Sequence, residues 1–202
     1  MSIANPLSGD TSSDYKEVLN WNITQKANHI VAMNLLAIPV ALISGVLFFM
    51  FARMVGKAQT ITWSGNETLA FLIGSIMVIA LHEFVHGVAM QAFGAKPKYG
   101  FWRKGLMFYA KAPGHAFERN QYVIILLSPL VGLSVLACCG ILIQPGTSIV
   151  WLLAIWAIIN ASAASGDLWI TAIVLRYPSY AKVVDERDGM RILLPQSDVK
   201  AE

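Results

Sequence analysis

Apolar residues in this chain gather into four long, nearly unbroken runs, not into the short periodic patches of a soluble core. The runs cover about 30–54, 69–93, 122–143 and 149–175, each long enough to cross a bilayer as a helix. Pro39 lies inside the first as a candidate kink. Polar stretches separate the runs. Residues 1–13 have the composition of a disordered lead-in. Asp14 is placed to cap a short amphipathic piece, YKEVLNW, whose Val18, Leu19 and Trp21 would rest on a membrane surface, unless the piece is an ordinary polar lead-in. Between the second and third runs, Lys98–Trp102 and 106–111 flank Arg103-Lys104-Gly105, a pattern that predicts a β-hairpin. The C-terminal stretch has two short β-prone pieces around Asp185 and Gly189, read as a small surface hairpin without chemistry. The expected class is an all-α membrane protein. It would have four transmembrane helices over residues 29–176, an N-terminal segment 1–28 and a tail 177–202, with the hairpin between the second and third helices.

Composition agrees with that pattern. Of 202 residues, 56% are hydrophobic and 13% charged, against about 25% charged in ordinary soluble domains. A net charge of +3 from scattered basic residues excludes the dense basic face of a nucleic-acid binder. The first run lacks a preceding charged n-region, so it is expected to be retained as a membrane helix. Cys138 and Cys139 are adjacent within an apolar run and imply no disulfide framework. With four spans, the two termini and the 95–120 connection share one side. Of the 15 basic residues, 13 fall there and only Arg53 and Lys57 opposite, which predicts that this side is cytoplasmic.

The chemistry sits in the second run, as His82-Glu83-Phe84-Val85-His86. Histidines at i and i+4 share one helix face and can reach one metal, while the intervening glutamate stands beside a water on that metal. Charged groups at membrane depth cost about 2.5–3.5 kcal/mol each on insertion scales, so three ionisable side chains here need a role. A hydrolytic zinc takes three protein ligands and leaves a position for water. The candidates for the third are Asp167, Asn160, His115, Glu118 and His29, and depth separates them. His86 lies roughly 10 Å and Asp167 roughly 13 Å inside the same face at 1.5 Å per residue. His29 is too shallow, and His115 and Glu118 lie in the connection. Asp167 is therefore the expected third ligand. Asn160, nearly two turns earlier on that face, is placed either to contact a substrate carbonyl or to bond a neighbouring helix.

HEFVH in a membrane helix, a basic loop with β-prone pieces, Ser128-Pro129 in the next span and then Asn160 and Asp167 resemble the site-2 protease class of intramembrane metalloproteases. Over residues 68–176 the chain looks closest to the small bacterial membrane proteins grouped as zincin peptidases. The resemblance implies one zinc ion on His82, His86 and Asp167, with Glu83 as general base, in a bacterial plasma membrane. The stretch NASAASGDLW departs from the class in having no proline between Asn160 and Asp167 and a glycine before the aspartate. The expected activity is zinc-dependent hydrolysis of a peptide bond in a membrane-embedded substrate. The alternatives are a cation or proton pathway through the same cluster, or an inactive zincin-like regulator. The absence of an internal repeat weighs against a transporter.

Overall fold

The computed structural model describes residues 14–22, 27–55, 65–102, 107–145, 148–186 and 189–199. The lead-in 1–13, Lys57, the Arg103-Lys104-Gly105 turn and the side chain of His29 lie outside the described residues. Three long helices, α1 (Ala27–Val55), α2 (Gly65–Ala92) and α3 (Arg119–Ile143), are followed by α4 (Ile149–Ala163) and α5 (Ser165–Val174). Together they supply four spans long and apolar enough to cross a membrane. In their most apolar windows only 11% of the first span and 6% of the second are buried within the protein. Leu35, Leu42, Ile76 and Val135 are all more than half exposed. An apolar belt of this extent belongs against lipid.

The fourth span is where the helices meet. α4 packs on α1, α2 and α3, and α5 packs on α1 and α3. The hydrophobic run predicts one continuous helix here, but the structure breaks it at Ala164, whose φ and ψ of −70° and 1° leave the α region. Small residues on both sides make the break possible. A Cβ on Gly166 would stand 2.9 Å from the Met33 methyl, so glycine lets α5 press against α1. The break also places Asp167 in the first turn of α5, where exposed N–H dipoles favour an anion.

At one end of the helices lies a four-stranded antiparallel sheet in the order β1-β6-β5-β4. Its strands are β1 (Tyr15–Asn22), β4 (Ala116–Glu118), β5 (Lys182–Glu186) and β6 (Gly189–Pro195). β2 (Lys98–Trp102) and β3 (Met107–Lys111) form a separate antiparallel hairpin, and a short α6 (Gln196–Val199) ends the described chain. The sheet corrects three sequence expectations. The YKEVLNW piece is a strand paired with β6, not a surface helix. The tail pieces do pair as the expected hairpin, but as inner strands of the sheet and not on the surface: Val183, Val184 and Ile192 are buried, as are Phe117, Met190 and Trp21. An all-α class thus gives way to a mostly helical protein carrying a small sheet. The reason is non-local: β1 and β6 lie some 170 residues apart, and strand preference depends on such neighbours more than on local pattern.

Candidate metal centre

α2 presents His82 and His86 on its inner face, 4% and 7% exposed in a helix with few other buried residues. Across from them, the first turn of α5 brings Asp167. Its Oδ2 is 3.0 Å from His82 Nε2 and 3.4 Å from His86 Nε2. The three candidate ligand atoms lie within 4.8 Å of one another. A tetrahedral ion with bonds of about 2.0–2.2 Å has ligand–ligand edges of roughly 3.3–3.5 Å. The spacing therefore suits a divalent ion that takes imidazole and carboxylate.

The other face of each imidazole is also fixed. His82 Nδ1–H donates to Asn160 Oδ1 at 2.9 Å, and His86 Nδ1–H donates to the Ile125 carbonyl at 2.9 Å. Both partners are acceptors at those atoms, so Nδ1 of each ring is the donor there, and Nε2 is the nitrogen that faces Asp167 and would be offered to a metal. The Asn160 orientation is itself determined, because its Nδ2–H donates to the Pro129 carbonyl at 3.1 Å. In metal sites, outer partners of this kind orient a histidine ligand and raise its basicity, so this donor set fits a metal.

The Ile125 carbonyl is available because of Pro129. In an α-helix the N–H of residue 129 would bond that carbonyl, and proline has none. The freed oxygen accepts from His86 and also from Ser128 Oγ at 2.8 Å. A proline in an apolar helix thus becomes part of the candidate site one helix away. The Ser-Pro pair is visible in the sequence, but its partner is not.

Glu83 leaves α2 toward the hairpin, and Ala110 N–H of β3 donates to its Oε2 at 2.9 Å. Gly87, one turn on, makes room for this docking: a Cβ there would stand 2.0 Å from Tyr99 Oη of β2. Phe84 and Tyr99 stack beside it, with ring centroids 6.1 Å apart.

Among the other sequence candidates, Asn160 is deeply buried and both ends of its amide are engaged by protein groups. Glu118 sits at the start of α3, where it makes a capping box with Gln121 and pairs with Lys182. His115 packs at a tilt against Phe117, and burial together with the nearby Lys182 ammonium holds its pKa below the ordinary value. Neither joins the cluster.

The sequence reading missed Asp185. This β5 carboxylate accepts from Tyr122 Oη–H at 2.9 Å and from Ala112 N–H at 3.3 Å. Burial pushes it up to about 6, although both hydrogen bonds favour its charged form. No local motif marks it.

Fold and site together define a mostly helical membrane protein with a buried two-histidine, one-aspartate cluster and a glutamate beside it. Residues 75–182, more than half of the chain, match the family described as "Putative zincin peptidase", and the chain belongs to that family. The match takes in every residue of the cluster and stops short of Asp185. No curated protein and no solved structure matches the chain.

Proposed function

We propose that the protein is a zinc-dependent intramembrane endopeptidase of site-2 protease type. The observation that carries this reading is the pair of oriented imidazoles whose Nε2 atoms converge with Asp167, next to Glu83 in sequence. His82, His86 and Asp167 hold the ion. Zinc bound there supplies Lewis acidity, which acidifies water and polarises a scissile carbonyl. Asn160 and the Ile125 carbonyl keep the two rings aimed, so Asn160 serves the metal and not the substrate. Glu83 takes the proton from the attacking water and delivers it to the departing amine. With Oε2 tethered to Ala110 N–H, the second oxygen is the one left for that proton.

The substrate is a membrane-embedded protein segment that unwinds locally, since a helix buries its peptide bonds. An edge of the β2–β3 hairpin offers main chain against which an extended segment can align. The hairpin and both termini face the cytoplasm of a bacterial plasma membrane, in keeping with the basic residues of the connecting segments. In detergent-purified protein we expect one zinc per chain and cleavage of a membrane substrate. Glu83→Gln keeps the zinc and loses cleavage by at least about 100-fold. Metal-free wild-type protein, or cleavage that survives the substitution, would falsify the proposal. Zinc-dependent ion flux in proteoliposomes without cleavage would replace it with a pathway function.

A further inference from the structure

Two carboxylates grip one edge of the same strand. Ala110 N–H donates to Glu83 Oε2, and Ala112 N–H, directly after β3 ends, donates to Asp185 Oδ2. Residues two apart in extended backbone present their N–H groups to the same side. The hairpin is therefore held to α2 at one point and to the sheet at the next.

Asp185 is a firm anchor. Its strand is paired with β4 on one edge and β6 on the other, and Tyr122, 2% exposed, fixes the second carboxylate oxygen. Tyr122 stands on α3 one turn before Ile125, whose carbonyl orients His86. The same hydrogen-bonded group thus ties the sheet to the hairpin and to the helix behind the histidines. Ala112, Phe117 and Val183 around it are all within 1% of fully buried. A carboxylate held in such surroundings is expensive, and a hydrophobic side chain would serve packing alone.

We infer that Asp185, oriented by Tyr122, is a positioning residue for Glu83. It sets the height of the β3 edge on α2, and the Ala110 N–H then holds the Glu83 carboxylate in its working orientation. The inference rests on the peptidase reading of Glu83. The bonds also specify which substitutions succeed. Asparagine at 185 can accept from Ala112 N–H with its oxygen and donate to Tyr122 Oη with its nitrogen. Alanine can do neither.

The test uses the full-length, zinc-loaded protein in detergent, with site-resolved amide exchange beside kinetics. Asp185→Ala is expected to lower kcat by about 10–100-fold, as misplacing a reacting group does, with KM and zinc stoichiometry little changed. The Ala110 and Ala112 amides should exchange faster while the α2 amides stay protected. Asp185→Asn should recover most of the lost kcat. Tyr122→Phe keeps the ring and loses one bond, so a smaller fall with partial loosening of the same amides is expected. It decides the matter if the alanine variant does not fold. Wild-type exchange at Ala110 and Ala112 in the alanine or phenylalanine variant overturns the inference, as does an asparagine variant as impaired as alanine. Should wild-type protein cleave nothing, the peptidase reading fails on its own, and the exchange measurements still decide whether Asp185 sets the strand.

Discussion

A histidine ligand needs its lone pair at one nitrogen and its proton held at the other, and in this protein the holding atoms belong to two different helices. His82 is aimed by Asn160 of α4, His86 by a carbonyl of α3, and both converge on Asp167 of α5. Removing Asn160 leaves a buried Nδ1–H without an acceptor and lets the ring turn. Asn160→Ala is therefore expected to weaken zinc binding by about 10–100-fold, the usual loss for such partners, measured by competition with a chelator. Asn160→Asp keeps the acceptor for His82 but sets a second acceptor against the Pro129 carbonyl, so it should fall between. If Asn160 instead contacted substrate, alanine would raise KM and leave zinc affinity unchanged. At this scale the sequence was informative where chemistry is local. The histidine spacing and Glu83 are written in five consecutive residues, and the depth of Asp167 follows from helix arithmetic. The partner of Asn160 is not, because a position on a helix face does not reveal which atom stands opposite.

Helices carry information that their residue types conceal. The hydrophobic runs locate α1, α2 and α3 to within a few residues, yet they hide the break at Ala164 that puts Asp167 at a helix start. They also hide the use made of Pro129. Proline inside a helix costs about 3 kcal/mol in an exposed setting, and here it leaves the Ile125 oxygen free for His86. Pro129→Ala restores an N–H that competes for that oxygen and draws it back toward the helix axis. The expected result has opposite signs in two measurements. The metal-free protein should melt at the same temperature or higher, while zinc affinity falls about 10-fold, within the range for lost outer-shell partners. A variant that binds zinc as tightly as wild type would show that His86 needs no help from α3.

The whole molecule joins two kinds of order, a lipid-facing helical set that position in sequence makes plain and a sheet that it does not. β1, β4, β5 and β6 come from the two ends and the middle of the chain, so no window of sequence contains their pairing. Asp185 belongs to that hidden part, and the desolvation of its half-buried carboxyl leaves a thermodynamic trace. Its carboxyl rises from an ordinary 3.8 to about 6. A raised carboxyl leaves the folded state fully stable below the unfolded value, where both states are protonated. Stability is then lost as pH rises from about 4 through about 6, where the unfolded chain ionises first. At roughly 1.4 kcal/mol per pH unit the loss levels off near about 3 kcal/mol. Asp185→Asn keeps the hydrogen bonds and removes the ionisation. Its melting temperature relative to wild type, in metal-free detergent solution, is expected to climb between pH 4 and 6 and stay constant at higher pH. The two proteins differ only at position 185, so the difference in melting temperature reports that group. A flat difference across that window would mean that the carboxylate is not held against its own hydration. The protein would then have no stability cost at this position for a positioning role to offset.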